Sequence, residues 1–237
     1  MAEFQIRYEF QMTDGHREVF DLRLDEAHSN LVSPAPAVFP EWSRLACHQC
    51  SHCPLDAALE PFCPVALNLA DLVSRFNLLT SYDGMKVVVS TRERTYIKKT
   101  SAQQAISSLM GLLIAASRCP MTFFFKPLAK FHLPFATTED TIWRATSTYM
   151  LSQYFLKQQG YTVDFELRRL NRIYSDIQKL NQALADRLRS VCEKDSTVNA
   201  VGILDIFAQS LPLVIEDSLD DIRPIFHPLL HYFQNSE

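Results

Sequence analysis

Cys47-His-Gln-Cys50-Ser-His-Cys53-Pro54, followed nine residues later by Cys63-Pro64, constrains this chain more than any other stretch. Four of its six cysteines fall here, and two of the four stand directly before proline. Few large aliphatic side chains lie between residues 43 and 63, so this segment needs something other than a hydrophobic core to hold it in place. Clustered cysteines at three-residue steps are ligand spacing. Cys-x2-Cys-x2-Cys with a more distant, proline-flanked thiolate is a common frame for a [4Fe–4S] cluster. Cys47, Cys50, Cys53 and Cys63 supply that frame, although the gap before Cys63 is longer than in the bacterial ferredoxin run.

Zinc is the main alternative, since four thiolates make an ordinary tetrahedral site. Zinc knuckles usually carry glycine in the turn, and none occurs between residues 16 and 83. A third reading is a thiol–disulfide oxidoreductase using Cys47 with Cys50, or Cys50 with Cys53. His48 and His52 read as solvent-facing or supporting groups. Proline suits the first turn of a helix, so Cys53 and Cys63 are expected at helix N-termini, where the dipole favours thiolate. Cys119-Pro120 is a third such pair: either a buried free thiol, or an alternate ligand that displaces one of the other four. Cys192 reads as a core residue.

Composition narrows the context. With 47% hydrophobic and 21% charged residues, a chain of 237 residues can bury a real core. A net charge of −4 gives no global field toward nucleic acid or an anionic membrane. The opening Met1-Ala-Glu-Phe-Gln-Ile-Arg lacks the basic and apolar regions of a secretory signal. The longest apolar run, residues 109–116, is too short for a bilayer. The expectation is a cytoplasmic protein, where reduced cysteines serve as ligands or redox groups rather than structural disulfides.

Phe4, Ile6, Tyr8 and Phe10 alternate with polar residues, as do Phe20, Leu22 and Leu24, with Asp14-Gly15 between them: a β-hairpin. Residues 31–42, with Pro34, Pro36, Val38 and Pro40, read as an extended connector. Pro64 opens a helix to about Leu79, and residues 87–89 with 95–97 make a second hairpin around Arg92-Glu93. Ser101 and Thr137 each read as the start of a helix, the first running to about Arg118 and the second stopping at Gly160. Asp164 reads as the cap of a third helix, striped by Leu170, Ile173, Tyr174, Ile177, Leu180, Leu184 and Leu188. From Val198 to Phe233 the chain is helical, with kinks or breaks at Pro212, Pro224 and Pro228. The fold expected is α+β and one domain over residues 1–237. A small antiparallel sheet of two hairpins packs on a helical bundle, and the cysteine segment lies between the hairpins.

Other candidates carry less. His227 and His231 share a helix face but lack an acidic partner, and read as surface groups. His132 reads as a loop histidine hydrogen-bonded near the core. Arg92, Arg94, Lys98 and Lys99 form a solvated strand edge. Trp143 reads as packing and Arg144 as surface. No nucleotide-cradling or hydrolase motif is present among these residues.

The hairpin, the cysteine segment, Arg94-Thr-Tyr-Ile-Lys-Lys-Thr100, Ser107-Ser-Leu-Met-Gly-Leu-Leu113 and Phe131-His-Leu-Pro-Phe-Ala-Thr137 together resemble a family of uncharacterised bacterial proteins, a domain of unknown function. The resemblance covers most of the chain and implies one domain, but no activity. The functional expectation therefore rests on the cysteines. It is an iron–sulfur protein for electron transfer or redox sensing. Its alternatives are a zinc-stabilised scaffold for a protein partner and the thiol oxidoreductase.

Overall fold

The alternating runs form long strands in the computed structural model, which describes residues 2–32 and 39–235 and their side chains except those of 210–218. β1 (Glu3–Met12) and β2 (Arg17–Asp25) pair antiparallel, with Ile6 opposite Leu22 and Tyr8 opposite Phe20. Gly15 turns between them at φ 91°, a conformation that costs glycine little. β3 (Gly84–Ser90) and β4 (Thr95–Ser101) form the second hairpin, around Arg92-Glu93. β1 also pairs with β3, so the antiparallel sheet runs β2-β1-β3-β4, an order that the strand patterns alone left open.

One face of this sheet carries Ile6, Tyr8, Phe10, Phe20, Leu22, Leu24, Met85, Val87 and Val89, all buried. α1 (Pro64–Phe76) and α2 (Ala102–Ala115) cover it. α2 is apolar nearly all round and sits inside the molecule, as a helix without a polar face must. α3 (Lys126–Lys130) follows a 3-10 turn, Pro120–Phe125. α4 (Thr138–Gln158), α5 (Arg168–Arg189) and α6 (Ser196–Gln234) complete the helical side, with α6 packed on both α2 and α5. The α+β architecture is therefore as expected, and the cysteine segment lies between the hairpins. Buried residues from Ile6 to Ala208 belong to one contiguous cluster. No single described helix is long and apolar enough to cross a membrane.

Local signals succeeded unevenly. Thr137 makes a full capping box with Asp140, and Gly160 takes a left-handed φ of 80° just past the end of α4. Ser101 precedes α2 but makes no side-chain cap bond; Thr100 instead bonds Gln104. Asp164 does accept the Arg169 N–H at 2.8 Å, although the residue at the helix boundary is Leu167, itself left-handed at φ 61°. α6 continues through Pro212, Pro224 and Pro228, so none of them is a break. Packing on α2 and α5 outweighs the missing hydrogen bonds in its first half. Pro34, Pro36 and Val38 of the connector lie outside the described residues.

Phe76 closes the core at the end of α1, fully buried, with ring centroids 5.0 Å from Phe10 and 5.7 Å from Phe20. Phe76→Ala is expected to cost about 3–5 kcal/mol in urea unfolding, the usual cost of emptying a buried aromatic site. A loss below about 1 kcal/mol would show that the sheet and α1 do not share this core.

Candidate metal centre

The cysteine segment is a loop closed at its base. Cys63 N–H donates to Ser43 O at 2.8 Å and Leu45 N–H to Pro61 O at 2.8 Å. Leu45 is buried, and Phe39 stacks on Phe62 at 4.7 Å. Between these anchors the backbone turns by local bonds, Cys47 N–H to Arg44 O and Cys53 N–H to Cys50 O. His48 takes φ 45°, so the loop makes a left-handed turn without glycine. The missing knuckle glycine therefore weighs little against zinc.

Cys63 is the N-cap residue of α1, with Pro64 in the first turn. Cys53 is not its equivalent, because the residues after Pro54 form turns rather than a helix. The second Cys-Pro helix start is Cys119-Pro120, which opens the 3-10 turn after α2. Ser117 and Thr122 brace it: their hydroxyls lie 3.0 Å apart, and Thr122 Oγ1 donates to Cys119 O at 3.0 Å. α1 and α2 pack together, which carries Cys119 to the loop from a residue far along the sequence.

Cys50, Cys53, Cys63 and Cys119 line one small cavity of about 20 Å³, with Leu45, His48, Met121, Leu184 and Arg187. Their electrostatics follow from the grouping. Burial pushes the Cys50 thiol up to about 11, and Cys63 and Cys53 push it further the same way while Arg187 opposes them. Burial pushes Cys119 up to about 12; the Met121 N–H draws it down, and Cys63, Cys50 and Cys53 push it up. Cys47, half-buried, is absent from this wall. Cys192 lies between α5 and α6, 3.8 Å from Thr197 Oγ1, packed at the core edge as expected. All six thiols are free. Among the described residues no three His, Cys, Asp or Glu side chains stand closely enough to hold a metal ion as they are.

Arg187 is the residue that sequence reading missed. It is 3% exposed, and its Nη1 donates to Trp42 O at 2.5 Å and Arg44 O at 2.7 Å, fastening the loop base to α5. Among the described residues it makes no ion pair with a carboxylate, and it shares the cavity wall with the four thiols. A buried cation without an anion is costly. Four thiolates around a divalent core would leave net negative charge beside it. The donor set thus fits a soft metal or an iron–sulfur cluster. His52 does not line the cavity, yet neither of its ring nitrogens has a partner although both are buried.

The weaker candidates resolve as follows. His227 and His231 are exposed. His132 meets Tyr8 Oη at 2.6 Å, as a core-edge histidine should. Arg92, Arg94, Lys98 and Lys99 are exposed on or beside edge strand β4. Arg144 departs from its surface reading: it is partly buried and donates to Leu128 O and Phe131 O. The expectation failed because α4 packs against α3, and the C-terminal end of α3 offers two carbonyls, Leu128 O and Phe131 O.

A family model described as a domain of unknown function (DUF6901) matches residues 6–227, and the chain belongs to that family. No curated protein and no solved structure matches it.

Proposed function

We propose that this protein carries a [4Fe–4S] cluster on Cys50, Cys53, Cys63 and Cys119, and uses it for electron transfer or redox sensing with a protein partner in the cytoplasm. The observation behind this reading is the single cavity wall shared by those four thiols and the buried Arg187. A zinc ion would need each sulfur at about 2.3 Å. Zinc on the same four sulfurs is the alternative, a structural scaffold without catalysis, and metal analysis separates the two. Cys50 and Cys119 are poor nucleophiles, since burial holds their protons on; that argues against a thiol–disulfide enzyme working through either.

Anaerobically purified full chain is expected to be brown, to absorb broadly near about 400 nm and to contain about four irons, as Cys₄ sites of this kind do. Colourless protein with one tightly held zinc per chain would replace the cluster with the structural scaffold.

A further inference from the structure

On the far side of α2 lies a second cavity of about 610 Å³, walled by α2, the loop after α3, α4, α5 and α6. That size takes a small organic molecule. Most of its wall is apolar, including Leu112, Leu133, Ile203, Leu204 and Phe207. Its charged groups are of one sign. Lys98 and Arg144 line it, and no Asp or Glu does so among the described residues. Asp140 is the acid that Arg144 feels, and its carboxylate is occupied by the Thr137 capping box.

Several polar groups here have unmet demand. Arg144 uses only Nη2, on two backbone carbonyls, so the rest of its guanidinium is unspent. Asn181, 2% exposed, lines the cavity and makes no side-chain hydrogen bond. Tyr174 is buried with its hydroxyl unbonded, although its ring packs on Phe124 and Phe125. His132 gives Nε2 to Tyr8, leaving Nδ1 without a protein partner. Burial pushes that imidazole down to about 3, so it is a neutral ring at ordinary pH. Buried polar groups left unpaired in a native fold ask for a partner.

We infer that this cavity binds a monocarboxylic acid with an apolar body. The carboxylate is held by Arg144, with Asn181 and His132 beside it, and the body lies against Leu112, Leu204 and Phe207. A guanidinium is suited to this head group because its N–H fork matches a carboxylate. The body is either an alkyl chain or an aromatic ring system, and two probes separate them.

Isothermal titration of the full chain with decanoate and with 1-naphthoate is the test, with decyltrimethylammonium as a probe of opposite charge. One or both acids are expected to bind once per chain, and the one that binds identifies the body; the cation is expected not to bind. Arg144→Gln should weaken acid binding about tenfold or more, the usual loss for a hydrogen bond to a charged group. That change also frees the Leu128 and Phe131 carbonyls, so a second variant leaves them in place. Gly111 lines the cavity, and a Cβ added there meets only Leu204 Cδ2 within 4 Å, at 3.6 Å. Gly111→Leu should take up part of the space beside Leu204, favour the helix and reduce acid binding in a protein whose circular dichroism is unchanged. Failure of both acids to bind, equal binding of the cation, or binding undiminished in Gly111→Leu would overturn the assignment.

Discussion

Arg187→Met is expected to strip iron from the protein and to expose residues 43–63 to protease while most helical circular dichroism remains. Methionine keeps much of the aliphatic bulk, so the substitution chiefly removes the charge and the fork. Two consequences follow from the same guanidinium. Trp42 O and Arg44 O lose their shared donor, which unfastens the loop from α5. The thiols lose the buried positive charge that favours their ionised form at Cys50. Supporting groups of this kind typically control metal affinity by about 10–100-fold. The stability cost is smaller than that of removing a paired ion, because Arg187 has no carboxylate partner to strand. Arg187→Lys should recover charge but only part of the loop order, since an ammonium cannot span two carbonyls as the fork does. Full iron content with an intact loop in Arg187→Met would separate this residue from the centre.

The other helices have their own buried stripes and should tolerate loss of the centre. α5 buries Leu170, Tyr174, Ile177, Leu180, Leu184 and Leu188, and of these only Leu180 and Leu184 line the cysteine cavity. The fold and the site were therefore legible to different degrees. Alternation at Phe4–Phe10 and Phe20–Leu24, with Asp14-Gly15 between, contains the first hairpin completely, because period, turn and glycine all agree. Pairing of β1 with β3 is non-local, and no short-range pattern encodes it. The cysteine spacing marked the loop, but spacing along the chain is not distance in space. Cys47 is only three residues from Cys50 and still falls outside the shared wall, whereas Cys119 reaches it through the α1–α2 contact. The third Cys-Pro pair was the available sign of this. Arg187 also left a trace, a charged residue three positions after Leu184 within the apolar stripe. Asn181 interrupts the same stripe in the same way. Polar residues at stripe positions are where α5 faces the two cavities instead of the core.

Iron per chain in Cys119→Ser and Cys47→Ser, purified anaerobically side by side, is the most direct measure of the proposed centre. Serine preserves the approximate size of cysteine but binds soft metals poorly. Cys119 lies on the cavity wall with Cys50, Cys53 and Cys63, and its thiol feels all three. Cys47 does not line that wall. Cys119→Ser is therefore expected to lose most of its iron and its absorption near about 400 nm, as Cys50→Ser, Cys53→Ser and Cys63→Ser should. Cys47→Ser is expected to retain both. Iron retained in Cys119→Ser and lost in Cys47→Ser would contradict this assignment and return the fourth ligand to the loop.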